Sequence, residues 1–393
     1  MKINLLILLI FFGNSIGWSQ ELNTEDSIHK SAVTIHKKFY INGYIKNMQV
    51  LDFNKNLGRL NATDLIHNRI NCKWKPKQNI TLNIELRNRF IWGDDVRNIP
   101  SYTLLLRNTN ETVNLSKIWL SNESFVMHTN TDRLNLDYKI KKLSIRLGRQ
   151  RINWGISTIW NPNDLFNTYN FLDFDYEERP GSDAIRLIGN ITSFSGLELA
   201  YAHGNKTSKN VFAGKYFFNK NGYDVQIITG ILGNRFTTGV GWAGSIKDAG
   251  FKGEMQFFSN TLDNNFQINI TLEGDYVFKN GLYINGSFLY NNNGLNTNKI
   301  NPIDLNFKFT PAYLMPTKFN FVIASGKEIT PLFSANLSVL FAPRTNLLLI
   351  LPSLNYSLSD NLNANLVWQS FFASFNQFSA LNHRGYLRLK YNF

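Results

Sequence analysis

The sequence ITLNIELRNRF, residues 80–90, decides the fold class. Apolar side chains occupy every second position from Ile80 to Leu86, and the positions between them carry polar or charged side chains such as Glu85 and Arg87. Strand side chains point alternately to two faces, so this segment has one apolar face and one wet face. A strand of about 9–11 residues crosses a membrane, apolar toward lipid and polar toward the lumen. The segment therefore predicts one crossing of a transmembrane β-barrel.

The last nine residues, GYLRLKYNF at 385–393, repeat this pattern. Leu387, Leu389 and Tyr391 share one face with Phe393, whereas the residues between them are basic or polar. A half-buried strand of a soluble protein has the same alternation. A chain that stops on an aromatic residue after such a strand is similar to the insertion signal of bacterial outer-membrane barrels. We therefore expect Phe393 to be read by the barrel assembly machinery.

The N-terminus has the features of a secretory signal. Lys2 supplies the positive charge, residues 5–12 the apolar run, and Gly17 and Ser19 the small residues before a cleavage site. The apolar run is shorter than the roughly 20 residues of a membrane-spanning helix. The expected division is a signal peptide at 1–19, a short periplasmic segment at 20–37 and a barrel at 38–393. These features predict export to the outer membrane of a Gram-negative bacterium, with lipid as a partner.

Strand and turn signals alternate along the chain. Alternating segments recur at 133–139, 143–150, 223–228, 251–257, 266–278 and 362–372. Short joints are expected at 75–78, 141–142, 221–222, 247–250, 280–281 and 357–361, and two of these are Asn-Gly pairs typical of hairpin turns. Longer polar segments lie at 49–63, 92–131, 153–181, 291–316 and 373–384. All short joints then fall at one end, which predicts an all-β, closed, antiparallel up-and-down transmembrane barrel of 18 strands, with 16 as the alternative count.

Composition agrees with this class and excludes others. The mean hydropathy is −0.22, yet 14% of the residues are aromatic, a mixture that suits strands with one face in lipid and one in water. The formal charge of +13 is spread along an exported chain, so we expect no nucleic-acid partner. Cys72 is the single cysteine, so no internal disulfide can form, and we expect it to face lipid. No cofactor or metal is expected.

The segment 153–181 is the most distinctive stretch and, by this count, the third external loop. Loops of this length are usually functional. Its aromatic residues are Trp154, Trp160, Phe166, Tyr169, Phe171, Phe174 and Tyr176, and its acids are Asp164, Asp173, Asp175, Glu177 and Glu178. Exposed aromatic clusters on a soluble surface are unfavourable. We therefore expect the segment to fold into the lumen and narrow it.

Four short motifs carry a family resemblance. They are GRQ at 148–150, WG at 154–155, NP-x-D at 161–164 and RPG at 179–181. Together they resemble a group of Gram-negative porin-type barrels that includes alginate-export-like proteins and barrels of unassigned substrate. The similarity covers about forty residues around these motifs. It implies a channel whose motif segment lines the pore, and it carries over no substrate.

The expected pore-lining residues are Arg87, Arg146, Arg149, Gln150, Trp154, Asp164, Asp173, Asp175, Arg179 and Arg186. Strict alternation points Arg146 and Gln150 inward but Arg149 toward lipid, and a bulge near Gly148 would bring Arg149 inward. Arg149 and Arg151 can pair with the acids of the segment, and three roles stay open for them: fastening the segment to the wall, contacting a solute, or both. Alternation turns eight basic and seven acidic side chains inward, so a mild anion preference is the most that charge suggests. The bases are Arg87, Arg89, Arg133, Arg146, Arg186, Lys252, Arg388 and Lys390, and the acids are Glu85, Asp137, Glu198, Asp224, Glu254, Glu273 and Asp275.

We expect a porin-like channel for diffusion or export of small polar solutes or oligosaccharides. The alternative is a structural or accessory barrel that docks a lipoprotein or a secretion complex. An outer-membrane enzyme is the third class, but the six histidines are scattered, and neither a Gly-x-Ser-x-Gly elbow nor a His-Glu-x-x-His pair occurs in the sequence. The chain is also too short for a plug domain plus 22 strands, as a TonB-dependent transporter would need.

Overall fold

A computed structural model of the chain describes residues 38–106, 111–168, 181–206, 209–260, 265–298, 309–375 and 377–393. The expected signal peptide and the lead-in at 20–37 lie outside the described residues. The same holds for three expected site residues, Asp173, Asp175 and Arg179.

Eighteen long antiparallel strands close into one barrel, as the alternation predicted. The strands are β1 (Phe39–Asn54), β2 (Arg59–Lys77), β3 (Ile80–Gly93), β4 (Ser116–Ser121), β5 (Phe125–Ile140), β6 (Leu143–Gln150), β7 (Ser182–Asn190), β8 (Ser195–His203), β9 (Val211–Lys220), β10 (Tyr223–Leu232), β11 (Arg235–Ile246), β12 (Ala249–Asn260), β13 (Phe266–Val277), β14 (Tyr283–Asn291), β15 (Phe319–Thr330), β16 (Phe333–Ala342), β17 (Leu347–Ser359), β18 (Leu362–Ser374) and β19 (Phe378–Asn392). Two short helices, α1 (Asp94–Asn98) and α2 (Tyr102–Leu105), follow β3. Of these nineteen strands, β4 is not counted in the barrel wall, because it is short and, among the described strands, pairs with β5 alone.

The barrel closes where its first and last strands meet. β1 pairs with β19 from Tyr44 opposite Asn392 to Asn54 opposite Asn382. Beyond this ladder, Gly43 and Phe393 each donate a backbone hydrogen bond to the other, both at 2.9 Å. Within the residues that the structure describes, closure gives each of the eighteen barrel strands a neighbour on both sides, so the sheet has no open edge.

One end of the barrel has only short turns, and all the long connections lie at the other end, together with a few short turns such as residues 233–234. We call these the short-turn end and the long-loop end. The expected order of short and long connections is confirmed, because each expected long segment joins a strand pair at the same end. Two expected loops were wrong in length. Only residues 55–58 separate β1 from β2, and only 375–377 separate β18 from β19. Their Asn- and Thr-rich flanks are strand, since backbone pairing tolerates polar side chains wherever both faces can meet water or polar neighbours.

The Asn-Gly pairs form the tight turns that the sequence indicated. Asn221 and Gly222, with φ of 53° and 80°, are the two residues between β9 and β10. This pair of positive φ values suits a two-residue hairpin turn, because its twist matches that of the flanking strands. Gly281, in the turn before β14, has φ of 78°.

Side chains alternate across the wall as expected. Ile84, Leu136 and Leu389 are exposed on the outer face, at 39%, 36% and 43% of their surface. Cys72 lies on this outer face, paired in register with Ile84. In the part of the chain that the structure describes, no helix is long and apolar enough to cross a membrane.

Candidate functional site in the barrel lumen

Residues 151–168, which we call the lumen segment, turn inward from the end of β6. Trp154 is 1% exposed, and its indole N–H donates to Glu198 on β8. In return, the Gln226 side chain on β10 donates to the Trp154 carbonyl at 2.5 Å. Because Glu198 and Gln226 project from the inner wall, these bonds place the segment inside the barrel. The expected inward fold of this loop is thus present in its described part.

Glu254 on β12 holds the middle of the lumen segment. Its Oε1 accepts hydrogen bonds from the backbone N–H groups of Ile156 at 2.5 Å and Ser157 at 2.7 Å, and from the Asn161 side chain at 3.3 Å. Its Oε2 accepts from the backbone N–H of Asn163 at 2.8 Å. The side chain is fully buried. A segment without regular structure must satisfy its N–H groups elsewhere, and this carboxylate does so for three of them.

A second carboxylate holds the next residues. Glu273 on β13 accepts from the Thr158 backbone N–H at 2.8 Å and from the Thr158 hydroxyl at 2.5 Å. Ser157 also shares a 3.2 Å hydrogen bond with Thr271 of the same strand. Asp164 forms a bond within the segment, because its Oδ1 accepts from the backbone N–H of Trp154 at 3.4 Å. The segment is therefore fixed to β12 and β13 by charge-assisted bonds.

Apolar packing extends these attachments along the wall. Ile152, Trp154 and Leu165 of the lumen segment pack in one cluster with apolar residues of the wall. Trp160 packs in a second cluster with other wall residues. The wall residues of the first cluster are Ala184, Ala200, Ala202, Val211, Ala213, Ile228 and Phe258, and those of the second include Leu289, Val322, Leu340 and Leu349. The alanines leave room for the indole ring. The segment thus spans the inner face from β7 to β17.

The motif residues make close contacts with one another. A Cβ on Gly155 would lie 2.5 Å from the Asn161 side chain, so the WG and NP motifs meet at a contact that only glycine permits. A Cβ on Gly181 would lie 2.8 Å from Cγ of Arg149, so the RPG and GRQ motifs meet in the same way. The motifs therefore define the path by which the chain enters and leaves the lumen.

Opposite the lumen segment, the inner face of β2, β3, β5 and β6 borders a cavity of 410 Å³, which we call the polar cleft. Its charged lining comprises six basic side chains (Lys73, Lys75, Arg133, Lys139, Arg146 and Arg151) and two acidic ones (Glu85 and Asp137). Arg146 and Asp137 pair at 2.5 Å, and Gln150 also lines the cleft. The rest of the lining is mostly amide and hydroxyl side chains, so the cleft offers hydrogen bonds to a hydrated solute.

A buried ion cluster stiffens the wall beside the cleft. Asp132 pairs with Arg69 at 2.5 Å and with Arg87 at 2.8 Å, and Arg69 also pairs with Glu85. The register of β3 against β5 shifts at Asp132, so this residue is an extra one that lies on the same face as Arg133. Because alternation points Arg133 inward, it would point the preceding Asp132 outward. The bulge at Asp132 turns this side chain inward instead. The alternation of the sequence therefore gave no sign that Asp132 faces inward.

Arg149 does not line the lumen. It lies opposite Asp183 in register, on the face that also carries the exposed Leu147, and the ladder has no shift at Gly148. Gly148 instead adopts φ of 104° within an unbroken register. Arg149 is nonetheless 1% exposed, because residues 111–113 cover it. The bulge that would have turned this residue inward is absent, which corrects its pore-lining assignment.

Residues 111–113, which cover Arg149, extend the barrel wall beyond the ends of the short strands β6 and β7. Arg149 pairs with Glu111 at 2.6 Å and with Asp183 at 2.9 Å, and it donates to the carbonyl of Val113. Asp183 also accepts from the N–H groups of Thr112 and Val113, at 3.0 and 2.9 Å. From there the chain enters β4, which pairs with the part of β5 that extends beyond β6. Among the described residues, Arg149 thus fastens the connection before β4, and not the 153–181 segment that the sequence pattern suggested.

The other expected site residues either line the polar cleft or support the structure around it. Arg146 and Gln150 line the polar cleft, whereas Arg87 belongs to the ion cluster beside it. Arg186 pairs with Glu198 at 2.6 Å, beneath the lumen segment. Trp154 and Asp164 are 1% and 0% exposed, so both hold the segment in place and neither faces the cleft. Alternation had already placed Glu254 and Glu273 on the lumen face, but nothing in the sequence shows that they hold the segment.

Two further connections fold inward at the long-loop end. Between β14 and β15, the carbonyl of Met315 accepts from Asn291 at 2.8 Å, and Leu314 and Met315 are buried in the cluster around Trp160. Between β3 and β4, Val96 and Leu106 pack against Met48, Leu65 and Ile91 of the wall. Three connections therefore narrow the long-loop end, although the sequence pattern predicted this only for the 153–181 segment.

Comparisons with solved structures agree on the fold. The chain is similar to OccAB4 from Acinetobacter baumannii, with a TM-score of 0.60 and 10% identity over 91% of this chain and 99% of that one. It is similar to OccK5 (OpdH) from Pseudomonas aeruginosa, with a TM-score of 0.59 and 9% identity over 91% and 98%. It is also similar to the outer membrane protein OpdK from Pseudomonas aeruginosa, with a TM-score of 0.57 and 9% identity over 90% and 98%.

No protein-family model matches the sequence, and no curated protein is significantly similar to it. At these identities the structural likeness supports the barrel architecture alone.

Proposed function

We propose that this chain is a porin-like channel of the outer membrane that passes small polar solutes or oligosaccharides. One observation carries the proposal: a segment fixed to the inner wall through Glu254 narrows the lumen on one side and leaves a polar cleft on the other. A barrel that served only as a docking scaffold would not need a constriction with this chemistry. The outer face supplies an apolar belt for lipid, and OpdK, a protein of similar fold, is named an outer membrane protein.

The constriction sets the selectivity of such a channel. Solutes pass the polar cleft by exchanging water for amide, hydroxyl and charged side chains, so hydrogen-bonding capacity and width decide which solutes enter. Arg146 and Gln150 are the expected contact residues, because both line this cleft. Catalysis is not part of the proposal, and no cofactor is needed for diffusion.

The motif resemblance adds a proposal about kinship. We infer that the GRQ, WG, NP-x-D and RPG motifs are retained in porin-type barrels because they direct the third loop into the lumen. Support comes from the two glycine contacts, Gly155 with Asn161 and Gly181 with Arg149. Gly155→Ala should then disturb the loop without disturbing the barrel. The conductance of this variant, compared with that of Gly286→Ala, checks the idea, because a Cβ on Gly286 would meet nothing.

Single-channel recording tests the proposed function. Purified protein, refolded in detergent and added to a planar bilayer, should insert and give discrete open-channel current steps. Protein that shows heat-modifiable migration, and is therefore folded, but gives no steps would contradict the channel. That outcome would favour an accessory barrel that docks a lipoprotein or a secretion complex.

A further inference from the structure

An apolar patch covers part of the inner wall where a channel lumen is normally polar. Val322 of β15 lies opposite Leu340 of β16, and Leu340 lies opposite Leu349 of β17. All three face inward and are at most 5% exposed. Toward the short-turn end the same face becomes polar, with Asn336 opposite Ser353. The lumen face of a membrane barrel is ordinarily polar throughout, so this patch needs its own explanation.

Packing of the lumen segment explains only part of the patch. Trp160 covers the end near the long loops, but a cavity of 270 Å³ remains between the patch and Thr158–Ile159. Ile159, Ala324 and Leu351 form its apolar walls, and Thr158 and Ser338 contribute hydroxyl groups. A cavity of about 150 Å³ is enough to hold benzene. This one therefore has room for a single ring with a small substituent.

Asn285 of β14 supplies a polar group that lacks a partner. The side chain lines the cavity and is 2% exposed, opposite Ala324 in register. Among the described residues, neither its Nδ2 nor its Oδ1 has a hydrogen-bond partner. Leaving such a buried group unpaired is unfavourable, and a well-packed wall would avoid it with an apolar residue. A bound molecule that both accepts and donates a hydrogen bond would satisfy the amide.

Nearby charged side chains determine which charge that molecule can have. Glu273 and Asp275 of β13 lie on the adjacent inner wall, and Asp275 is the register neighbour of Asn285. Lys252 is the cation paired with both, at 3.5 and 3.1 Å. Two carboxylates against one ammonium leave the surroundings negative. A solute carboxylate would be repelled there, whereas a neutral amide or hydroxyl would not.

We propose that this cavity, the Asn285 pocket, is a binding subsite for uncharged amphipathic solutes with one ring or a compact aliphatic body and a neutral amide or hydroxyl group. The inference rests on the proposed channel function, because it assigns a solute class to the same lumen. Such solutes would leave the polar cleft, place the apolar body against Leu340 and Leu351 and pair their polar group with Asn285.

Benzamide is the probe, because its ring matches the cavity and its amide can both donate to and accept from Asn285. Blockade of single-channel current by benzamide is measured against two controls: benzoate, which has the ring but a negative charge, and acetamide, which has the amide but no ring. Benzamide should block at a concentration at least tenfold lower than either control. Recordings with benzamide on bilayers that contain no protein correct for effects on the lipid.

Two variants locate the block. Asn285→Leu removes the amide and should weaken benzamide block roughly two- to tenfold, the worth of one hydrogen bond. Ala324→Leu fills the cavity and should weaken the block at least as strongly. Asn336→Leu makes the same substitution as the first variant on the same wall, outside the pocket, and should leave the block unchanged.

The outcomes separate the two proposals. The absence of open-channel steps in folded wild-type protein overturns the channel and the subsite together. If the wild type conducts but benzamide blocks it no better than benzoate, the subsite is wrong and the channel stands. The same conclusion follows if both pocket variants are blocked as strongly as the wild type. Heat-modifiable migration confirms that each variant is folded.

Discussion

Replacing Glu254 with glutamine should release the lumen segment and change how the channel conducts. The carboxylate accepts from three backbone N–H groups and from the Asn161 amide, with both oxygens in use. A glutamine has a single acceptor oxygen. Its NH₂ group must therefore face at least one N–H. The least costly orientation turns it toward Asn163, the one residue in the described part of the chain that donates to Oε2.

The size of the effect follows from these bonds. Orphaning the buried Asn163 N–H costs about 1–3 kcal/mol, and hydrogen bonds that lose a charged partner weaken by up to about 1 kcal/mol each. Removal of a buried charge recovers part of this loss. A net loss of about 3 kcal/mol shifts the ratio of seated to released segment by about two orders of magnitude, since 1.4 kcal/mol is a factor of ten. The barrel's own stability should hardly change, because the strand ladders are untouched.

Single-channel recording at fixed voltage provides the measurement. Glu254→Gln should show frequent transitions to states of higher conductance that the wild type enters about a hundredfold less often. Glu328→Gln is the matched control, since Glu328 is exposed in the part of β15 near the short-turn end and contacts no part of the lumen segment that the structure describes. If Glu254→Gln and wild-type channels have the same conductance and the same substate frequency, Glu254 does not seat the segment.

Four further results are expected. Ile84→Arg should lower the free energy of unfolding in lipid by roughly 2–4 kcal/mol, as at a lipid-facing site near the midplane, whereas Glu85→Gln should cost far less; equal losses would mean that the facing is misassigned. Asp132→Asn should destabilise the barrel by about 3–5 kcal/mol in denaturant titrations, because two arginines lose their shared buried partner, and a loss below 1 kcal/mol would contradict this. Arg149→Gln should make the connection before β4 sensitive to protease in folded protein, and unchanged protection would show that Arg149 does not fasten it. Deletion of Phe393 should lower the amount of assembled barrel at native expression, and an unchanged amount in outer-membrane fractions would remove its role as insertion signal.

Particular residues show how far the sequence could go at the site. Alternation places Arg146 and Gln150 on the inner wall, and both line the polar cleft there, since β6 keeps its register up to its end. Asp132 could not be assigned, because its facing depends on a bulge. Alternation gives the observed outer face for Arg149, but the bulge expected near Gly148 was wrong, and the loop that buries Arg149 could not be foreseen. Glu254 was placed on the right face, but its partners lie almost a hundred residues earlier in the chain. The apolar side chains of β15–β17 gave no sign of a cavity, because the cavity is bounded partly by the lumen segment.

The sequence by itself determined the barrel, its strand count and the direction of its turns, because these features depend on local alternation and on Asn-Gly turns, whose backbone preferences act over a few residues. The inward path of the third loop was also readable, from its length and its aromatic residues. The side chains that hold that loop, the open polar cleft and the Asn285 amide, which has no partner among the described residues, emerge only from the folded barrel. These features arise where strands distant in the sequence face one another across the lumen, and alternation fixes the side of the wall but not the opposing partner.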